Sequence, residues 1–225
     1  MILMASDSSE IVKTDQKRSL ETKKRILDAT EQLFAQHGFY GTSMRDIAAL
    51  SGSRISLIYY HFGSKDKIFQ TVVDRRSEEH KNHMLGSLHN VVVLHEGAPV
   101  PLDILIEAYL RPCLERLQCH GPGWRNYIRL LAHLASESAS SDYQKTFFTY
   151  DVVNKAFLNE FKRALPDAKD SHIYWGFYFL ETANINFLLD TQILDMQSEG
   201  QCSASDIDIT IEQCQRFFTR GFTAP

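Results

Sequence analysis

Residues 42–65 read TSMRDIAALSGSRISLIYYHFGSK, and this stretch decides the fold. Ser43-Met44-Arg45-Asp46 is a capping box with Asp in place of the usual Glu. It opens a short helix whose apolar face is Met44, Ile47, Ala48 and Leu50. Gly52 breaks that helix, and a second runs from about Arg54 to Phe62. Two short helices around Ser51-Gly52-Ser53 have the spacing of a helix-turn-helix, which lays its second helix in the major groove of DNA. Arg54, Ile55, Ser56 and Leu57 form the end that meets base edges. Tyr59, Tyr60 and His61 add donors, and Ile58 and Phe62, four apart, face the core. Lys65 and Arg45 are cationic contacts for phosphate, and Thr42 and Ser43 offer hydroxyl or backbone N–H groups at a helix N-terminus. By spacing alone a second reading stays open, in which Tyr59, Tyr60 and Phe62 are ordinary core aromatics.

On the N-terminal side, Ile26, Ala29, Leu33 and Phe34 recur at helical spacing, and Gly38-Phe39 reads as a Schellman stop. Residues 1–16 are polar without periodicity, so a flexible arm is expected there. On the other side, Ser64 opens a helix to about residue 88, with a loop expected over 86–101. Leu102 to Leu117 is amphipathic, bent at Pro112 and ended by Gly121-Pro122-Gly123. Helices follow over about 124–135 and 142–165. The 171–195 segment is apolar on nearly every side, and Ser205 or Asp206 caps a last helix over 206–222. With 11 Gly and 6 Pro in 225 residues, turn-rich β folds are excluded and an all-α chain is expected.

The net charge of −4 hides an asymmetry. Residues 1–76 carry 12 Lys and Arg against 9 Asp and Glu, whereas 77–225 carry 12 against 19. A basic reader joined to an acidic body fits nucleic-acid binding by the first part. Cys113, Cys119, Cys202 and Cys214 form no C-x-x-C pair and are expected as reduced, mostly buried thiols. The longest near-apolar run, Tyr174 to Leu180, is too short for a membrane span, and MILMASDSSE carries no export signal; a cytoplasmic protein without membrane partners is expected.

Gly41-Thr42-Ser43-Met44-Arg45-Asp46-Ile47-Ala48, followed by Tyr59-Tyr60-His61-Phe62-Gly63-Ser64-Lys65, resembles the N-terminal DNA-binding domain of TetR-family transcriptional regulators over about residues 22–70. The resemblance implies a three-helix DNA-binding domain (17–70) and a helical effector-binding and dimerisation domain (71–225). It also implies a palindromic double-stranded operator bound as a homodimer and repression relieved by an effector, with activation as the alternative. By position, Tyr60, His61 and Lys65 correspond to backbone contacts and Ser56, Leu57 and Tyr59 to base or methyl contacts. Where the family usually has Val and then a small capping residue after the turn Gly, this chain has Ser53 and Arg54. Ser53 is expected to take over the cap.

Residues 124–187 hold 14 of the 25 aromatic residues. This density suits an apolar ligand pocket with a few polar groups, and it suits plain core or a dimer interface equally. The candidate lining is Tyr109, Tyr127, Arg129, His133, Phe147, Phe148, Trp175, Tyr178 and Asn184. Two recognition helices must stand about 34 Å apart to read a palindrome. The family resemblance implies that the 171–195 and 206–222 helices join the two subunits and fix that separation. The Tyr127–Glu137 stretch and the aromatic helix after it are similar to regulators that sense fatty acids or coenzyme A thioesters, which implies a hydrophobic, long acyl effector whose carboxylate or phosphate meets Arg129; planar aromatic compounds suit the same lining.

His80 and His83, at i and i+3, and His133 and Glu137, at i and i+4, are the only pairs that suggest metal, as in a helical metalloenzyme. Neither has a third ligand at informative spacing, and H-E-x-x-H, G-x-S-x-G, P-loop and G-x-G-x-x-G patterns are absent. Glu78–His83 reads more simply as a solvated helix face. No catalytic residues, metal or cofactor are expected, and the chain is not read as an enzyme.

Overall fold

The computed structural model describes residues 5–136, 150–189 and 192–224, with side chains from residue 16 and without that of Ser136. Among the described residues every regular element is a helix: α1 (Ala5–His37), α2 (Met44–Ser51), α3 (Ile55–Phe62), α4 (Lys65–Leu94), α5 (Leu102–Gln118), α6 (Gly121–Ser136), α7 (Asp151–Ala164), α8 (Asp170–Leu189), α9 (Ile193–Gln197) and α10 (Ile207–Thr223). They form two compact units, Met1–Arg75 and Arg76–Pro225. No described helix is long and apolar enough to cross a membrane.

In the first unit, α1 ends where Gly38 takes φ +67° and its N–H reaches the Phe34 carbonyl at 3.0 Å. The Phe39 ring, 5.7 Å from that of Phe34, is the hydrophobic contact of the stop. At the other end, α1 reaches back into the segment expected as a flexible arm. From Ala5 the polar segment is continuous with α1, because no Gly or Pro interrupts it before His37. Ile26, Met44, Ile47, Ile58 and Ile68 close the core between α1, α2, α3 and the start of α4.

In the second unit α4 continues through Gly86 to Leu94, so the expected loop shrinks. Leu88 is buried and Val91 and Val92 pack on the core, and that burial carries the helix past its glycine. α5 contributes Leu105, Ile106, Tyr109, Leu110 and Leu114 to the core. Each such fully buried side chain stabilises by roughly 1.5–3 kcal/mol. Pro112 lies within α5 and cannot donate to the carbonyl of Ala108; the Ser87 hydroxyl from α4 donates there instead, at 3.0 Å. Gly121-Pro122-Gly123, expected as a stop, instead opens α6, where a proline in the first turn has no ladder bond to lose. The apolar 171–195 segment is divided, α8 closing at Leu189 and α9 starting after Gln192. Asp206 caps α10, its Oδ1 accepting from the Ile209 N–H at 3.0 Å. Cys113 and Cys214 are buried, but Cys119 and Cys202 are exposed, so the expectation of mostly buried thiols holds for two.

Candidate functional site

The capping box predicted at Ser43 is formed. Ser43 N–H donates to Asp46 Oδ2 at 2.8 Å, and the Asp46 N–H returns to Ser43 Oγ at 3.2 Å. The Ser43 hydroxyl also donates to Asp46, at 2.6 Å, and these bonds hold the Asp46 carboxyl below its usual range. A phosphate at Ser43 must therefore share donors already used. Thr42 is a correction. It is buried, its hydroxyl donates to the Gly38 carbonyl at 3.0 Å and its N–H to Phe39 at 3.3 Å, so both groups offered to DNA are spent inside the fold.

Ile58, fully buried, anchors α3, while Phe62 packs on the same core from a half-buried position. That anchoring turns Arg54, Ile55, Ser56, Tyr59 and Tyr60 outward, with Leu57 half-buried between them. Tyr60 is 82% exposed, which sets aside the reading of these tyrosines as core. Arg45 is exposed on α2. Ser53 does not cap α3, because its hydroxyl points to the Ser51 carbonyl at 3.5 Å and receives Arg25 Nη2 at 3.4 Å. Arg54 is the N-cap without a side-chain bond. His61 is half-buried, and burial first, then the charge of Lys23, lowers its pKa. Lys65 Nζ lies 4.1 Å above the Phe39 ring, and partial burial lowers its pKa, so it stands on an aromatic shelf. Exposed Tyr40, edge-on to Phe39 at 5.4 Å, extends that shelf; the sequence reading passed over it.

In residues 76–225 a cavity of about 110 Å³ opens between α4, α5, α6, α7 and α8. His80, Met84, Tyr109, Cys113, Tyr150, Asn154, Glu181 and Asn184 supply its polar and sulfur groups. Of the expected lining, Tyr109 and Asn184 are there. Tyr127 is fully buried, its hydroxyl bonded to that of Tyr150 at 2.8 Å. Arg129 lines a separate groove of about 400 Å³ with Arg125, Asn186 and Gln192. His133 is half-buried on α6 and lines neither space. Trp175 and Tyr178 are more than half exposed on α8 and line outer grooves instead of this cavity. Phe147, Phe148 and Glu137 lie outside the described residues.

His80 is not on a solvated face. It is 3% exposed, and burial first, then the charge of Arg116, lowers its pKa to about 3. Its Nδ1 accepts from Arg116 Nη1 at 3.4 Å, which leaves the hydrogen on Nε2, 3.8 Å from Cys113 Sγ. Cys113 in turn donates to Met84 Sδ at 3.5 Å. Arg116 is held by Glu79 at 3.3 Å and by the face of Trp124 at 3.6 Å. Both imidazole nitrogens are committed to protein partners, which overturns His80/His83 as a metal pair. No described group of three or more His, Cys, Asp or Glu is placed to hold a metal ion. The sequence reading missed Glu181 and Asn154. The signal for Glu181 was the lone acid between Ile173 and Leu189, in an otherwise uncharged run.

Residues 26–72 match the family described as "Bacterial regulatory proteins, tetR family", and residues 107–221, half of the chain, match "Tetracyclin repressor-like, C-terminal domain". The chain belongs to the TetR family. Members of this family are transcription regulators, not enzymes, and DNA binding and ligand response are general among them. Among similar proteins, the TtgR regulator of Pseudomonas putida is 33% identical over 70 residues, 31% of this chain and 33% of the relative. The ComR repressor of Escherichia coli is 34% identical over 73 residues, 32% and 35% of the two chains. The chain thus spans about a third of the length of these curated relatives. A TetR-like regulator from Rhodococcus sp. RHA1 shares the fold with a TM-score of 0.63 at 17% identity, over 91% of this chain and 97% of the other. A Saccharomonospora viridis regulator in complex with choline does so at 0.59 and 18%, over 87% and 96%.

Proposed function

We propose that this TetR-family chain is a cytoplasmic repressor that binds a palindromic operator as a homodimer and releases it when a small effector enters the cavity of residues 76–225. The observation that carries the DNA contact is the outward row Arg54, Ile55, Ser56, Tyr59 and Tyr60 on a helix pinned by Ile58. A short helix with a buried anchor and a polar, aromatic outer face suits the major groove. Arg45, Ser43, His61 and Lys65 flank it as phosphate contacts, and Leu57 and Tyr59 meet thymine methyls. Repression is supported by the name of the Escherichia coli relative.

For the homodimer, the support is the outer side of α8 and α10. Trp175, Phe179 and Phe217 are 61%, 54% and 73% exposed, beside a groove of about 680 Å³ floored by Gly176, Phe218 and Phe222. An apolar helix side of this size asks for a cover, and a second copy of the same pair closes a twofold interface. For effector response, the support is that α4 supplies His80 and Met84 to the cavity and Lys65 to the first unit. The choline complex supports a small-molecule role for a domain of this fold.

Titrating operator-like duplex against salt tests this reading. Log affinity should fall linearly with log salt, at about −0.9 per phosphate neutralised. Affinity indifferent to salt and to sequence overturns it.

A further inference from the structure

The cavity of residues 76–225 has a chemical polarity that narrows its occupant. Among the described residues, no Lys or Arg lines it. The carboxylate of Glu181 faces it with a single hydrogen bond among the described residues, from Asn154 Nδ2 at 2.9 Å. Asn184 is 5% exposed, and its Oδ1 accepts nothing among the described residues.

The orientation of the Asn184 amide follows from its neighbours. Arg116 only donates, so His80 must accept at Nδ1 and donate from Nε2 to Cys113. Cys113 spends its own hydrogen on Met84, so toward Asn184, with which it is also hydrogen-bonded, it can only accept. The amide nitrogen therefore faces Cys113 and the oxygen is left for the cavity. A carboxylate and an amide oxygen wait for donors, and both are half-buried or buried, where an unmet acceptor costs more than at the surface. Tyr109 and Tyr150 border the same space with aromatic rings, and Ile185 and Leu188 with aliphatic surface.

We propose that the effector is a small organic cation, an ammonium group with N–H donors on a compact apolar body, held by Glu181 and Asn184. This rests on the ligand-response reading given above. An ammonium supplies two or three donors at once, neutralises the Glu181 carboxylate, and gains from the neighbouring aromatic rings. Burial alone raises the Glu181 pKa, with the Asn154 bond opposing it; a bound cation reverses that balance in favour of the carboxylate. A volume of about 110 Å³ limits the body, since a cavity of about 150 Å³ accommodates benzene.

The test is calorimetric titration of the full chain with isobutylamine, isobutanol and isobutyrate, three compounds of one branched shape. Isobutylamine should bind at least tenfold more tightly than either of the others. Glu181→Gln keeps the side chain's shape and an acceptor for Asn154; it should weaken isobutylamine tenfold or more and change isobutanol less than threefold. The wild-type comparison stands even where the variant fails to fold. Equal or tighter binding of isobutanol or isobutyrate, binding of none of the three, or unchanged amine affinity in the folded variant overturns the proposal. Amine binding that leaves duplex affinity untouched supports the site and counts against the regulatory reading instead.

Discussion

A methyl group on Gly176 would lie 2.3 Å from Cε1 of Phe222, so α8 approaches α10 as closely as a glycine permits. The Phe222 ring cannot yield cheaply, because it is buried and stacked on Phe161 at 4.9 Å. Gly176→Ala should therefore destabilise residues 76–225 by about 1–3 kcal/mol, despite the better helix propensity of alanine. Both tryptophans, Trp124 and Trp175, lie in this unit, so the fluorescence transition in urea measures it directly. A midpoint equal to that of the wild type would mean that the close approach is not maintained in solution.

The same two helices carry the exposed aromatics assigned to the subunit interface. Phe217 is 73% exposed and touches its own core little, so Phe217→Glu should leave the melting of the monomer within about 0.5 kcal/mol. Placed twice at a twofold contact, the charge should raise the dimer dissociation constant a hundredfold or more. Sedimentation velocity across a concentration series reads this. Unchanged association would move the interface elsewhere.

Thr42 and Lys65 separate structural from contact roles in the first unit. Thr42→Val removes a buried hydroxyl bonded to Gly38 at 3.0 Å and should lower stability by about 1 kcal/mol while duplex affinity of the folded protein stays the same. Lys65→Ala, or Tyr60→Ala at an exposed position, should weaken all duplexes alike and reduce the salt slope by about one for the lysine. Substitution of Ser56 should change which duplex is preferred. Fluorescence anisotropy at two salt concentrations distinguishes the three outcomes.

The helix-turn-helix was legible because local rules decide it: a capping box at Ser43, a left-handed Gly52 at φ +61°, and a buried Ile58 at helical spacing. Thr42 was misread for the opposite reason, since its partner carbonyls on Leu33 and Gly38 are set by how α1 meets α2. Burial of His80 was likewise invisible in Glu78–His83, where charged neighbours dominate the string. It follows from α5 bringing Arg116 and Cys113 against α4, a matter of packing between distant segments. Trp175 and Tyr178 illustrate a further limit. An apolar helix announces two buried sides but not which of them faces its own domain.

His80 should make stability depend on pH from about 6.5 downward, starting where ordinary carboxylates are still ionised. In the unfolded chain its imidazole protonates near pH 6.5; in the native protein burial and Arg116 hold it neutral down to about pH 3. Between these values the unfolded state binds one more proton, so stability is fully present above pH 6.5 and is lost as pH falls toward 3. Partly buried His83, lowered by burial and then by Arg116, acts in the same direction. His80→Gln retains an acceptor for Arg116 and a donor for Cys113 without titrating. Between pH 6.5 and 5 it should remove up to about 1.4 kcal/mol per pH unit from the slope of unfolding free energy. Urea titrations of both proteins at several pH values in that window give the slopes. Parallel slopes would show that His80 is solvated in the native state, and the acceptor orientation derived for Asn184 would fall with it.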